Sequence, residues 1–216
     1  HEGCAAPAAG PGRVAPGGPA TLSCRMTPPL ELDHLLYATP DVDATVSELE
    51  ERLGASFNPG GRHPGWGTRN RILPLGGRRY LEVIGPDEEQ PEAQGRRILE
   101  VDRLGGPRLA WWAVRPFLMP LTCGEFEAMG FVPGEVIEGR RELEGGGELV
   151  WQMTGPRVRL EGGVLPLVID WEGAAHPGEA DSPVELSDLR LEHPDGERLS
   201  AAFEELGLPE DHTADA

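Results

Sequence analysis

The chain has 216 residues, an apolar fraction of 38% and a formal net charge of −18. The length suits one large domain or two small ones, and the charge repels a nucleic-acid backbone or an anionic membrane, so neither is expected as a partner. All nineteen basic residues are arginine, which excludes Schiff-base and lysine-nucleophile chemistry.

Residues 1–29 are rich in Ala, Pro and Gly and carry no apolar period. They are expected to form a disordered leader. The chain begins at His1, and Met26 is a candidate native start. No run of about eighteen apolar residues exists, so no membrane span is expected. Cys4 and Cys24 fall in the leader, which leaves Cys123 alone. One internal cysteine makes neither a disulfide framework nor a CxxC knuckle, and fits a reducing cytoplasm.

Residues 32–38 read as a strand stopped by Pro40. Asp41 or Asp43 then caps a helix, with Val42, Val46, Leu49 and Leu53 at helical spacing and Gly54 as its stop. A short strand and a Gly/Pro-rich turn are expected within 55–67, then strands at 69–75 and 79–84 around a Gly76-Gly77 hairpin. Residues 87–106 are acidic and irregular and read as a linker with one helical turn near 97–104. Next come a strand at 109–114, a helix at 122–129 broken or shortened by Pro120 and Gly124, and strands at 136–143, 148–154 and 164–170. Gly145-Gly146-Gly147 joins two of these strands, so it reads as a hairpin loop and not a phosphate cradle. A strand at 186–192 and a helix at 195–206 follow, the latter with Leu199, Ala202, Phe203 and Leu206 on one face. Residues 209–216 form an acidic tail.

These elements repeat. Copies of a strand–proline–helix–glycine segment start at His34, Ala110 and Asp188. A supersecondary unit used several times follows from such a repeat. The units span about 31–86, 108–171 and a partial 186–207, within one domain over 30–208. The fold class expected is α+β, with βαβββ units forming a curved mixed sheet around a cleft and helices on its outer face.

Four pieces of sequence carry a resemblance. They are Leu32-Asp33-His34-Leu35, the stretch from Gly61-Arg62-His63 through Trp66 to Asn70, the strand Tyr80-Leu81-Glu82-Val83-Ile84, and Ile169-Asp170-Trp171 with His176-Pro177. In order, they resemble the vicinal-oxygen-chelate superfamily, the glyoxalase and bleomycin-resistance fold, and within it the glyoxalase-like domain family. The resemblance implies metal ligands on the first and last strands of a unit, facing one cleft. His34 and Glu82 hold those positions and are the expected ligands of one divalent ion, drawn from Zn, Ni, Mn and Fe. Counting from the prolines, Ala110 and Leu167 hold the matching positions of the second unit, and neither binds metal. Asp188 holds the first of them in the third.

Each residue carries a second reading. His34 is a ligand, or a strand histidine bonded to Glu82. Glu82 is a ligand, a general base raised by burial, the partner of an arginine such as Arg71 or Arg79, or an exposed edge residue. His63, Trp66 and Asn70 sit among glycines that let the backbone turn sharply, which suits the rim of a substrate pocket. Asp170, Trp171 and His176 are expected on the same pocket, although a turn cap explains Asp170 equally well. Trp111 and Trp112 point to opposite faces of one strand.

Three functions stay open. One is a metal-dependent lyase, isomerase or dioxygenase acting on a substrate with vicinal oxygens, with Glu82 catalytic. The alternative is a metal-free protein that sequesters a small molecule. The third is a partner domain whose exposed strand edges pair in a homodimer. A small-molecule ligand and a cytoplasmic location are expected throughout.

Overall fold

A computed structural model describes residues 28–143 and 145–208. The expected leader up to residue 27 and the acidic tail at 209–216 lie outside the described residues, as do Cys4 and Cys24.

Eight strands close into a barrel. The first unit supplies β1 (Glu31–Ala38), α1 (Val42–Leu53), β2 (Asn58–His63), β3 (Thr68–Pro74) and β4 (Tyr80–Pro86). The second supplies β5 (Arg108–Arg115), α2 (Met119–Ala128), β6 (Ile137–Leu143), β7 (Glu148–Met153) and β8 (Leu167–Asp170). The order around the barrel is β1-β4-β3-β2-β6-β7-β8-β5. Within each unit the first and last strands run parallel, and the other pairs are antiparallel. The units meet at two antiparallel seams, a long one between β1 and β5 and a short one between β2 and β6. The expected α+β class and βαβββ repeat hold, and the curved sheet goes on to full closure.

Local chemistry explains the element ends. The Asp41 carboxylate accepts from the Ala44 N–H and caps α1, and Gly54 ends the helix at φ +63°. Val42 is buried, but Leu53 at the far end of the expected stripe is 42% exposed. Pro120 does not break α2. It sits in the first turn, where no intrahelical N–H is needed, so the helix begins at Met119, earlier than expected.

Two expectations are corrected. The stretch at 186–192 is not a strand; only Leu191 forms an isolated bridge. Asp188 lies on the surface, paired with Arg190 at 2.7 Å. The closed barrel has no free edge for a third unit to extend. What remains of that unit is α3 (Gly196–Leu206), whose Leu199, Ala202, Phe203 and Leu206 are buried as expected, with Phe203 edge-on to Trp112. The exposed edges invoked for a homodimer are likewise absent from the eight described strands. The second correction concerns 87–106. Its two 3-10 segments, Pro91–Ala93 and Ile98–Arg103, belong to the packed body, since Leu99 and Val101 are buried in the main core.

Candidate functional site

The barrel interior is a pocket. Its space is open to solvent at the mouth, and both units line it. The two units line it differently. His34 from β1, His63 from β2, Asn70 from β3, and Tyr80 and Glu82 from β4 form a polar half. Trp111 from β5, Trp151 and Met153 from β7, and Leu167 and Ile169 from β8 form an apolar half. Trp66, Trp171, Ile98 and Leu99 extend the wall, and Arg140 and Arg141 of β6 add positive charge to it. Trp111 faces the pocket and Trp112 the helix side, as alternation requires.

Parallel pairing of β1 and β4 sets His34 opposite Tyr80 and Leu36 opposite Glu82, so all four side chains share the inner face. His34 Nε2 stands 3.5 Å from Glu82 Oε2, and its ring stacks on Tyr80 at 4.6 Å. Glu82 is not an exposed edge residue: it is 7% exposed and takes a 2.6 Å hydrogen bond from Asn70 Nδ2 at Oε1. Asn70, rather than Arg71 or Arg79, is therefore the short-range partner that offsets the cost of burying this carboxylate. His63 Nε2 lies 3.9 Å from the same Oε1, and its Nδ1 is 2.9 Å from the Thr68 hydroxyl. Desolvation lowers the His63 pKa to about 4; the charge of Glu82 opposes this and that of Arg141 reinforces it. Tyr80 is pushed well above its usual value, first by burial and then by the charges of Asp33 and Glu82.

Behind His34 lies a charged hub that sequence reasoning missed. Asp33 is fully buried and accepts from His34 Nδ1 at 2.6 Å, His176 Nε2 at 2.9 Å, Arg115 Nη1 at 2.9 Å and Trp171 Nε1 at 3.0 Å. Burial alone would raise the Asp33 carboxyl, but its bonds to His176 and His34 hold it well below the usual carboxylate range. The Gly178 N–H donates to His176 Nδ1, which leaves the ring proton on Nε2 for Asp33. Strict alternation would put Asp33 on the face opposite His34. It sits instead where the pairing of β1 with β5 slips between Leu32 and His34, and such an irregularity re-aims a side chain. The adjacency Asp33-His34 was the only signal in the sequence.

The other expected site residues divide. Trp66 and Trp171 line the pocket. His176 does not; it reaches the site through Asp33. Asp170 lies outside the lining, and its carboxylate accepts from the Glu172 N–H, the turn-cap reading. Counting from the prolines also misplaced the second unit by one residue: Trp111, not Ala110, is the lining residue of β5, while Leu167 is correctly inward.

The donor set bears on the expected metal. His34 Nε2 and Glu82 Oε2 face one another, with Asp33 fixing the His34 ring as an outer partner does at metal sites. Tight zinc sites use three or four protein ligands. Here the second unit contributes Trp111, Leu167 and Ile169, and Asn70 occupies Glu82 Oε1. Among the described residues no group of three or more His, Cys, Asp or Glu is set to hold a metal ion. The residues present therefore do not fit a complete divalent centre.

Two βαβββ units closed around a shared interior pocket define a vicinal-oxygen-chelate fold. The sequence matches the glyoxalase-like domain over residues 32–207, and the chain belongs to that family. Among solved structures, a hypothetical protein from Staphylococcus aureus is similar, with a TM-score of 0.60 and 13% identity over 82% of this chain and 75% of that one. Methylmalonyl-CoA epimerase from Mycobacterium tuberculosis is 17% identical, with a TM-score of 0.43 over 69% of this chain and 91% of that one. A variant of the Streptomyces coelicolor epimerase, in complex with 2-nitronate-propionyl-CoA, is 16% identical, with a TM-score of 0.46 over 69% and 100%. No curated protein matches the sequence. Among the described residues no helix is long and apolar enough to cross a membrane.

Proposed function

We propose that this protein binds a small organic molecule inside the barrel, with the polar half gripping its functional group and the tryptophan-rich half covering its apolar body. The observation that carries the reading is the division of the pocket itself: every inward histidine and carboxylate comes from the first unit, and the second offers Trp111, Trp151, Leu167 and Ile169 in their place. A tightly held metal ion is not part of this reading. Elemental mass spectrometry on protein purified without chelator, beside His34→Ala, tests it. The expected result is no stoichiometric metal in either protein and none taken up from Zn²⁺, Ni²⁺, Mn²⁺ or Fe²⁺. Near-stoichiometric metal that disappears in the variant would overturn it and restore the metal-dependent enzyme.

A specific observation favours proton transfer on the bound molecule as a second reading. The ionised Asp33 accepts a hydrogen bond from His34 Nδ1–H, so the contact between His34 Nε2 and Glu82 Oε2 is attractive only with a further proton between them. A buried imidazole–carboxylate pair that holds one proton can give it up or take one back, which is what a general acid–base pair does. In this reading Glu82 is the catalytic group, and Glu82→Gln retains ligand binding while losing exchange of ligand protons with solvent.

A further inference from the structure

The second unit also sets a buried cation in the pocket wall. Arg141 is 6% exposed and lines the interior from β6. Among the described residues it forms no ion pair. Its one hydrogen bond is a 3.5 Å contact from Nη1 to Asn70 Oδ1, and its Nε is buried without a partner. The neighbouring Arg140 behaves differently: it is half-exposed and pairs with Glu138 and Glu148. A buried, unpaired guanidinium is costly, because nothing nearby replaces the water it has lost. The fold nevertheless makes room for it. A side chain at Gly61 would meet Arg141 Cγ at 2.7 Å, so the bare glycine backbone is what lets the arginine stem lie across β2. The positive charge also reaches into the pocket, since it acts on both His63 and Tyr80.

The geometry points to Arg141 as the binding site for a carboxylate on the ligand, making the pocket selective for small organic acids with an apolar or aromatic body. This rests on the small-molecule reading given above. Guanidinium and carboxylate match as a planar two-point pair, and the bond is charge-assisted. A single negative charge is the right complement. Glu82 lies in the same pocket, one amide away: Asn70 takes the Arg141 contact at Oδ1 and donates to Glu82 from Nδ2. One guanidinium offsets a monoanion there, whereas a phosphate dianion would meet Glu82 with its second charge uncompensated. The walls fit the rest of such a molecule. Trp151 and Trp171 lie 5.4 Å apart at a tilt, and Met153 and Ile169 add apolar surface.

Matched acid and amide pairs test the assignment, because each amide keeps the shape of its acid and loses the charge. The probes are benzoate and benzamide, phenylacetate and phenylacetamide, and hexanoate and hexanamide, titrated calorimetrically into wild type, Arg141→Met and Arg141→Lys. Acids are expected to bind wild type about ten- to a hundredfold tighter than their amides, the span of a hydrogen bond to a charged group. Arg141→Met is expected to erase that preference and Arg141→Lys to retain part of it. If the amides bind wild type as well as the acids do, the pocket reading stands and the Arg141 assignment falls, without need of a folded variant. An acid preference that survives in Arg141→Met also overturns it. If none of the six binds wild type, the pocket reading itself fails, and the assignment falls with it.

Discussion

Glu82 and His63 show how single side chains survive in an apolar interior. Glu82 finds a hydrogen-bond donor in the Asn70 amide at 2.6 Å. His63 solves the same problem by staying neutral, with burial lowering its pKa to about 4. The unfolded chain returns that ring to the usual histidine value near 6.5. Between the two values the unfolded state binds the extra proton, so stability rises with pH there and is lost as pH falls from 6.5 towards 4. The contribution at stake is about 3 kcal/mol. His63→Gln cannot titrate, so its urea midpoint is expected to fall less steeply than that of wild type across this window. Parallel slopes in the two proteins would show that His63 is not buried as a neutral ring.

At the scale of elements, the short seam between β2 and β6 is the demanding join. Among the described residues it pairs Gly61 with Leu143 and Arg62 with Glu142. Gly61 is needed for space and not for an unusual φ: a Cβ there would lie 2.0 Å from the Glu142 carbonyl oxygen and 2.7 Å from Arg141 Cγ. Gly139 plays the matching role on β6, where the Trp151 indole fills the space a side chain would take, 2.3 Å from a Cβ. Gly61→Ala is therefore expected to destabilise the protein by about 1–3 kcal/mol through overpacking and to raise amide hydrogen exchange along β2 and β6. Gly105→Ala has no atom within 4 Å to meet and is the control, with a change within about 0.5 kcal/mol. Equal effects from the two substitutions would remove the argument that the seam selects for glycine.

For the molecule as a whole, closure and charge pull in opposite directions. The barrel leaves no free edge among its eight strands, which protects against edge-to-edge association. A net charge of −18 does the same by repulsion, but that repulsion also strains the compact state. Salt screens charges beyond about 10 Å at 0.1 M. Raising NaCl from 10 mM to 0.5 M is accordingly expected to raise the melting temperature by a few degrees in scanning calorimetry. A fall would mean that local ion pairs such as Arg62–Asp87 and Arg115–Asp33 outweigh the net repulsion.

Legible in the sequence were the two βαβββ units, the cap and stop of α1, the buried face of α3, and five side chains that line one pocket, His34, His63, Trp66, Asn70 and Glu82. All of these rest on local periodicity, on turn residues, or on a motif whose residues lie close along the chain. The packed structure makes the third copy a lone helix, because the barrel closes with eight strands and offers no edge for more. It alone revealed Asp33 as a hub, since its partners Arg115, Trp171 and His176 are remote in sequence and a slip in pairing turns it towards them. Arg141 was half legible. Alternation along β6 places it on one face with Gly139, but which face is inward depends on pairing across the seam to Gly61. Interior position is a property of closure, and closure joins residues that no local pattern connects.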